Sequence, residues 1–222
     1  MKETSSESLS EDAYTWLLSA IASFEIPTNS QISESKLALQ LGFSRTPVRE
    51  ALKRLENEGL VTRNEGRYTV AMLTSTDVDN ALDVLQMCDT YMFVSASRNL
   101  SKEDALSLKA IAKSMSTEAK AGNQEKWMRD DHEFHEIIIR NCSNPLVVDF
   151  ARITRRRIQR FWANSALATR DLETCADEHL TIAEAVSGES EIVIEKAVAA
   201  HLSHLRSNLH EIVAASAPFF GK

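Results

Sequence analysis

The N-terminal third of the chain alternates short amphipathic segments with breaks. Between about residues 10 and 24, apolar residues recur at the spacing of one helix face, namely Ala13, Trp16, Leu17, Ala20 and Ile21. A break follows at residues 26–31. Ser33 is then well placed to N-cap a second helix that ends at Gly42, a residue type favoured just after a helix C-terminus. The pattern therefore predicts two short helices in this part of the chain.

A third helix is predicted from the sequence SRTPVREALKRL, residues 44–55. Its apolar stripe consists of Val48, Ala51, Leu52 and Leu55. Pro47 has no N–H and is best accommodated at the first helical position, so we expect Thr46 to be the N-cap. Arg49 and Lys53 lie four residues apart on the opposite face.

Two short strands are predicted next, over residues 60–63 and 67–71. The turn between them is Asn64-Glu65-Gly66, in which Gly66 is free to adopt a positive φ. We therefore expect this segment to form a β-hairpin.

The remainder of the chain, after Leu73, shows no convincing strand pattern. Helices are predicted near residues 75–98, 102–121, 124–142, 145–166, 172–187 and 190–215. We therefore expect a mostly α protein in two domains. Residues 1–72 form the mixed N-terminal domain, and residues 75–222 form an all-α helical bundle.

Charge divides the chain in the same place. The whole chain carries a net charge of −7, but residues 36–70 hold seven Lys/Arg against four Asp/Glu. From Leu73 onwards, 17 Lys/Arg stand against 22 Asp/Glu. A basic segment on an acidic body indicates one module that meets an anion and a second module with another task.

Cysteine usage and hydropathy bear on the compartment. The three cysteines, Cys88, Cys142 and Cys175, are scattered and lack CxxC spacing, which is typical of a reducing compartment. The polar N-terminus lacks the apolar core of a signal peptide, and no apolar run approaches the ~20 residues needed to span a membrane. We expect a soluble, cytoplasmic protein with no membrane partner.

The order helix, helix, turn, helix and hairpin is that of a winged helix-turn-helix. In such a domain the N-terminal residues of the third helix enter the major groove, where an Arg can bond guanine. Arg45 and Thr46 lie at the positive end of the helix dipole, and Arg63 and Arg67 flank the hairpin tip, where they can reach phosphate. A lone amphipathic helix with surface arginines would not require this function, but the complete set of elements favours DNA binding by residues 1–72.

The sequence LALQLGFSRTPVREALKRLENEGLV resembles the winged-helix domain of GntR-type bacterial transcription regulators. The resemblance implies that Arg45, Thr46 and Arg49 read base edges, and that Ser44 and the Gly66 turn approach the DNA backbone. With the basic residues noted above, the predicted DNA-binding set is Ser44, Arg45, Thr46, Arg49, Lys53, Gly66 and Arg67.

Two positions depart from the pattern of that family. Thr28-Asn29 stands in place of a Pro-Gly pair, and Ser35 stands where the family often has a DNA-contacting Arg. We expect these departures to shift the operator sequence and to leave DNA binding intact.

The helical remainder contains all six histidines. Asp131 and His135 are four residues apart, so both project from one face of one helix. His179 and His201 each fall on the apolar side of a helix. One carboxylate and three imidazoles can hold a divalent metal ion.

Other interpretations of these histidines stay open on the sequence alone. A single histidine on an apolar face is more often a hydrogen-bonded core residue than a ligand. Cys175 precedes His179 by four residues, so a Cys/His site competes. His132 or His204 can also replace its neighbouring histidine as a ligand.

The segments MRDDHEFHEIIIRNCSNPLV, DEHLTIAEAV and AVAAHL resemble the FCD-type ligand-binding domain of FadR-like GntR regulators. The DxxFH motif of that family matches residues 131–135, and its EH and HL motifs match residues 178–179 and 201–202. The metal ligands that the resemblance implies are Asp131, His135, His179 and His201. It also implies a zinc or nickel ion that helps to hold a small carboxylate metabolite, and the donor set suits manganese or iron as well.

The first helix of the ligand-binding domain departs from the family pattern. Family members commonly carry an Arg and then a Glu about four residues later, whereas DVLQMCDTYMF contains no Arg and offers Gln86 and Asp89. An inward-facing Arg157 is one replacement for the missing carboxylate clamp. The alternative is that Arg157 pairs with a nearby acid. The neighbouring arginines then form a solvated face: Arg155, Arg156 and Arg160.

These features predict a ligand-responsive DNA-binding transcription regulator, most simply a repressor. A homodimer would place two recognition helices on a pseudo-palindromic operator, and a small effector bound to the helical domain would change the affinity for DNA. One alternative is a regulator whose metal is purely structural or is itself sensed. Another is a metal-dependent hydrolase or lyase, against which the chain shows no HExxH, nucleophile elbow or phosphate loop.

Overall fold

The computed structural model describes residues 6–163, 172–188 and 191–220. In chain order the elements are α1 (Ser6–Ala22), β1 (Gln31–Ile32), α2 (Glu34–Leu41), α3 (Arg45–Asn57), β2 (Val61–Asn64), β3 (Arg67–Val70), α4 (Ser75–Asn99), α5 (Lys102–Ala121), α6 (Gln124–Arg140), α7 (Pro145–Ala163), α8 (Leu172–Val186) and α9 (Glu191–Phe220). The predicted mostly α fold is confirmed, and each predicted helix has a counterpart. Residues 164–166 and 190 of the predicted helices lie outside the described residues.

The second and third helices begin and end at defined caps. Ser33 N-caps α2 through its side chain, and Gly42 ends that helix in the left-handed conformation (φ 70°), as predicted. The predicted N-cap of α3, Thr46, is wrong. Ser44 is the N-cap, with an extended backbone at φ −73° and ψ 166°. Pro47 thereby occupies the third helical position, where its missing N–H has no intrahelical partner to lose.

A three-stranded antiparallel sheet packs beside these helices in the order β1-β3-β2. The β2–β3 hairpin pairs Val61 with Val70 and Asn64 with Arg67, close to the predicted bounds. Gly66 at its tip has a positive φ of 79°, as predicted. Strand β1 adds to the predicted elements, because two residues are too few to show an alternating pattern.

Two hydrophobic cores are present among the described residues. The first lies among α1, α2, α3 and the sheet, with Leu17, Leu52 and Leu55 fully buried. The second lies among α4–α9 and buries Leu85 and Phe134 completely. Helix α7 belongs to the second core but also packs against α1, so the two halves of the molecule are in direct contact.

Residues 71–74 connect the two cores, and α4 starts with a reciprocal cap. Thr74 Oγ1 accepts a hydrogen bond from the Asp77 N–H (3.1 Å), and Asp77 Oδ2 accepts one from the Thr74 N–H (2.9 Å). The cap fixes the point at which the helical bundle begins. None of the three cysteines forms a disulfide. None of the described helices combines the length and the hydropathy needed to cross a membrane.

Candidate DNA interface and metal centre

Five of the predicted DNA-binding residues line one groove. The apolar face of α3 is buried, whereas Arg45, Arg49 and Lys53 remain exposed. Together with Gly66 and Arg67 at the hairpin tip, these side chains line a groove of about 990 Å³. The groove therefore lies between α3 and the hairpin, and cationic side chains from both elements face it.

The other residues of the predicted set lie at the start of α3. Ser44 and Thr46 are exposed there, beside the groove. Lys36 on α2 also lines the groove, although the sequence reasoning did not select it. Its charge is visible in the sequence, but its direction depends on how α2 crosses α3.

Glu34, at the start of α2, holds two of the predicted base-reading arginines. Its Oε2 accepts hydrogen bonds from Arg45 Nη2 (3.2 Å) and from Arg49 Nη2 (2.8 Å), and its Oε1 accepts one from Arg49 Nε (3.2 Å). The hydrogen bonds from Arg49 and Arg45 hold the pKa of the Glu34 carboxyl below its usual value, although burial opposes them. The sequence reasoning missed Glu34, because its partners lie 11 and 15 residues away on another helix.

The four predicted metal ligands meet in the second core. Helix α6 supplies Asp131 and His135, α8 supplies His179, and α9 supplies His201. Asp131 Oδ1 lies 3.2 Å from His179 Nε2 and 3.7 Å from His135 Nε2. The ring centroids of His179 and His201 are 4.7 Å apart. Three helices thus form one cluster, in which Asp131, His135 and His179 each place a ligand atom within 4.8 Å of the other two, and His201 stands in the same relation to His179 and Cys175.

Hydrogen bonds orient two of these imidazoles. His179 Nδ1 donates to the backbone carbonyl of Cys175 (2.7 Å), which leaves Nε2 as the nitrogen that faces Asp131. His201 Nδ1 bonds Glu178 Oε2 (2.9 Å). Such outer hydrogen bonds fix the tautomer and the ring plane of metal-ligating histidines.

The cluster contains a buried polar atom whose hydrogen-bonding capacity is unused. His179 Nε2 is buried and has no hydrogen-bond partner in the described structure, although it faces the Asp131 carboxylate. A cation between the two groups would satisfy both. Burial lowers the pKa of His135 and of His201, so both imidazoles are neutral at pH 7 and offer a lone pair. The residues therefore fit a divalent metal ion.

Asp131 is ionised in the same cluster. Burial opposes its charge, but its interactions with His179, His135 and Arg155 outweigh burial and hold its pKa well below the usual range. A charged carboxylate beside neutral imidazoles is the protonation state that a metal site requires.

Cys175 is the nearest competing ligand. Its Sγ lies 3.7 Å from His179 Nδ1, the nitrogen that already bonds the Cys175 carbonyl oxygen. Asp131 faces the opposite nitrogen of the same ring. Binding at Nε2 with Asp131 preserves the existing hydrogen bond, whereas binding at Nδ1 with Cys175 breaks it. The geometry therefore favours the set that contains Asp131.

The remaining three histidines lie apart from this cluster. His132 is exposed. His204 Nδ1 bonds Glu178 Oε1 (3.0 Å), and His210 Nε2 bonds Asp79 Oδ1 (2.9 Å). The structure does not bring these three histidines into the cluster.

A small cavity of about 40 Å³ borders the metal cluster. Its lining comprises Trp127, Asp131, His135, Arg155, Ile158, Cys175, His201, Leu205 and Leu209. Arg155 Nη2 donates to Asp89 Oδ2 (2.6 Å), and its Nη1 lies 3.5 Å from His135 Nε2. Asp89 Oδ1 is buried without a hydrogen-bond partner in the described structure. The cavity holds a few water-sized groups beside a cationic side chain.

The predicted effector residues do not all lie where the sequence interpretation placed them. Arg155, expected in a solvated face, borders the cavity, whereas Arg157 donates from Nε to a backbone carbonyl of the N-terminal domain (2.7 Å). The rotational phase assumed for α7 is wrong, because the Phe150 ring assigned to its inner side is 62% exposed. Gln86 is exposed and does not line the cavity, while Asp89 is 2% exposed.

Comparison with known families agrees with both halves of this geometry. Residues 9–70 match the family described as bacterial regulatory proteins, gntR family, and residues 81–204 match the FCD domain. The chain belongs to the GntR family of transcription regulators. Like its family, this GntR regulator is a DNA-binding transcription regulator and not an enzyme.

Curated relatives are about a quarter identical to this GntR regulator over the residues that align. The gluconate operon transcriptional repressor of Bacillus licheniformis is 28% identical over 123 residues, 55% of this chain and 51% of the repressor. The chain thus spans about half the length of that relative. The uncharacterised regulator YdhC of Bacillus subtilis is 23% identical over 205 residues, 90% of each chain. The Uxu operon regulator of Haemophilus influenzae is 26% identical over 217 residues, 88% of this chain and 77% of its own.

Solved structures share the fold of this GntR regulator at low sequence identity. E. coli McbR/YncC superposes with a TM-score of 0.76 and 17% identity, covering 91% of this chain and 97% of its own. A GntR regulator from Rhodococcus sp. RHA1 superposes with a TM-score of 0.70 and 15% identity, covering 90% and 96%. These likenesses support the two-domain architecture.

Proposed function

We propose that this GntR regulator is a ligand-responsive repressor whose operator affinity changes when a small carboxylate metabolite binds at a divalent metal ion in the helical domain. The observation that carries the proposal is the unpartnered, buried Nε2 of His179, which faces the Asp131 carboxylate beside a cavity that contains Arg155. We assign DNA binding to residues 1–72 and ligand binding to residues 75–222.

The metal would be held by the ligand cluster Asp131, His135, His179 and His201. Three nitrogen donors and one oxygen donor suit zinc or nickel, and also manganese or iron. A bound divalent ion supplies a strong positive charge and open coordination positions for oxygen donors.

The chemistry of the cavity supports an anionic effector. Arg155 donates to Asp89 and lies within 3.5 Å of His135 Nε2, and its guanidinium fork matches a carboxylate. An acid that meets both the metal and Arg155 satisfies two positive charges at once. Arg155 thus takes the clamp role for which the sequence suggested Arg157. One relative is a repressor of a gluconate operon, and gluconate is a small hydroxy acid of this chemical class.

We assign contact with operator DNA to the groove formed by α3 and the hairpin. Arg45, Thr46 and Arg49 read base edges, and Lys53 and Arg67 contact phosphates. Ser44 and the Gly66 turn approach the DNA backbone. The cationic lining of the groove supports this assignment.

A homodimer completes the proposal. Met87 and Tyr91 on α4 are 69% and 44% exposed, and Leu146 and Phe150 on α7 are 67% and 62% exposed. Helices α4 and α7 pack against each other, so these four large apolar side chains lie on neighbouring helices. Exposed apolar patches of this kind mark interaction surfaces. A second copy on this patch gives the two-fold symmetry that a pseudo-palindromic operator requires.

A second candidate function is a regulator in which the metal itself is the signal or has only a structural role. The cavity volume of about 40 Å³ favours it, because that space suits an ion with a few water-sized groups better than a long metabolite. In this case operator affinity depends on metal and not on any organic acid.

The test measures operator affinity by fluorescence anisotropy on a duplex that the wild-type protein selects from a random pool. Zinc-loaded protein is titrated with citrate and with gluconate, beside metal-free protein. We expect at least one acid to change the Kd at least about fivefold, and only with metal present. His132→Ala, at an exposed position, serves as the control and should respond like the wild type. A Kd that responds to zinc but to neither acid would favour the second candidate.

A further inference from the structure

Three consecutive arginines of α7 point to different parts of the molecule. Arg155 bonds Asp89 at the cavity (2.6 Å). Arg156 Nη1 donates to Tyr14 Oη on α1 (2.5 Å), and Arg157 Nε donates to the backbone carbonyl of Glu58 (2.7 Å). One helical turn therefore joins the candidate effector site to the DNA-binding domain.

The N-terminal partner of this turn is the C-terminal end of the recognition helix. Glu58 is the C-cap residue of α3 and is only 7% exposed. Its carboxylate accepts a hydrogen bond from Tyr14 Oη (2.8 Å) and two longer ones from Arg156 Nη1 (3.3 and 3.4 Å). Arg54 on α3 stacks over the Tyr14 ring at 3.6 Å. The buried carboxylate thus pairs with two arginines, Arg54 of its own helix (3.4 Å) and Arg156 of the other domain (3.3 Å).

Gly59 allows the close approach of α7. Its φ is +74°, and a Cβ atom there would lie 2.8 Å from Cζ of Arg157. Any side chain at this position would displace the Arg157 guanidinium. The absence of a side chain at Gly59 therefore leaves the space that the Arg157 guanidinium of the ligand-binding domain occupies.

We propose that Arg156 and Arg157, together with Tyr14, Glu58 and Gly59, form an arginine latch that transmits the state of the effector cavity to the recognition helix. This inference rests on the proposed function and names the route of its regulation. An anion in the cavity competes with Asp89 for Arg155. A change at Arg155 moves the same turn of α7, and the latch carries that displacement to the end of α3.

The opposite end of α3 carries the base-reading arginines, so a tilt of this helix changes their fit to the major groove. Coupling of this kind requires that the latch differ between the ligand-free and ligand-bound states. Asp89 and Arg156 have different partners in the structure. Substitutions at separate sites without shared partners normally act independently, so dependence between them is a direct signature of the latch.

The first experiment is a double-mutant cycle read out as operator Kd, in full-length protein without added ligand. Asp89→Asn frees Arg155, as an anionic effector would, and Arg156→Ala opens the latch. We expect Asp89→Asn to change the Kd at least about fivefold with the latch intact, and less than about twofold in the Arg156→Ala background. Arg152→Ala is the matched control, because Arg152 lies on α7 but bonds Glu136 within the ligand-binding domain (2.9 Å). An equal effect in both backgrounds, or no effect in either, would overturn the latch.

A second experiment keeps the proposal testable if Asp89→Asn fails to fold. Gly59→Ala displaces Arg157, whereas Gly122→Ala introduces a side chain at a similar φ of +69° with no atom within 4 Å. Both variants are loaded with zinc and titrated with citrate, and binding is followed by calorimetry and operator Kd by anisotropy. We expect Gly59→Ala to bind citrate like the wild type but to lose its effect on operator Kd, whereas Gly122→Ala retains it.

The outcomes separate the latch from the function on which it rests. If citrate binds the wild type and neither citrate nor gluconate changes operator Kd, the ligand-responsive function fails, and the latch fails with it. If the wild type and Gly59→Ala respond equally, the latch alone is wrong. If citrate does not bind, operator Kd is compared with and without zinc in the two glycine variants. A zinc response that Gly122→Ala retains and Gly59→Ala loses supports the latch, and equal responses overturn it.

Discussion

The carboxylate of Glu34 lies 2.8 Å from the guanidinium of Arg49, so an acid on α2 holds the proposed base-reading residue of α3 in place before DNA binds. The Glu34 side chain is only 13% exposed, whereas that of Arg49 is 46% exposed. The acid is thus fixed and the arginine reaches into the groove. Glu34 and Arg49 belong to the same domain. Their contact therefore orders the DNA-facing side of α3 without any ligand in the helical domain.

Replacing Glu34 by Gln should lower sequence discrimination and raise non-specific affinity. The amide holds Arg49 less firmly, and the removed negative charge no longer repels phosphates. We expect the difference in binding free energy between the selected operator and a scrambled duplex to fall by about 1 kcal/mol. Glu25→Gln removes the same charge from the same groove and controls for electrostatics alone. Equal ratios in the two variants would contradict an orienting role for Glu34.

Arg49→Ala should weaken operator binding by roughly 1–3 kcal/mol and relax the preference at one base pair.

Lys53→Ala should instead weaken binding almost equally on all sequences and reduce the slope of log K against log salt by about one. Anisotropy titrations at several salt concentrations measure both effects. Unchanged sequence preference in Arg49→Ala would show that α3 does not read bases through this residue.

The apolar patch on α4 and α7 should control the oligomeric state. Phe150→Glu places a charge in the proposed two-fold interface and should shift the dimer to monomer. Sedimentation equilibrium measures this shift directly. Leu106→Glu on α5, where the native side chain is 69% exposed, should leave the dimer intact. A wild-type protein that sediments as a monomer would contradict the proposed homodimer.

Periodic sequence signals predicted the helices well, because a long amphipathic pattern leaves few alternatives. Helix α5 occupies the predicted residues 102–121, and α4 ends within one residue of its predicted limit. The predicted N-cap at Thr46 is wrong because proline is tolerated throughout the first turn of a helix and not only at its first position. Strand β1 was missed because its pairing partner Tyr68 lies 36 residues later in the chain.

The metal cluster could be predicted from the sequence more completely than the effector cavity. Asp131 and His135 share a helix, so their common face follows from spacing, and the resemblance to FCD domains implied the remaining ligands. The choice between Arg155 and Arg157 depends on the rotation of α7 about its axis. That rotation is set by packing against α4 and α9. Phe150 gave the wrong rotation because it is apolar and was assigned to the inner side of the helix, whereas it is exposed.

The central claim is that the Asp131, His135, His179 and His201 cluster holds a divalent metal, and elemental mass spectrometry tests it most directly. Untagged wild-type protein is purified without added metal beside His179→Ala and the control His132→Ala. We expect near-stoichiometric metal in the wild type and in His132→Ala, and a large loss in His179→Ala, with a lower melting temperature. Equal metal content in wild type and His179→Ala, or no metal in any of them even after zinc is added, would contradict the account.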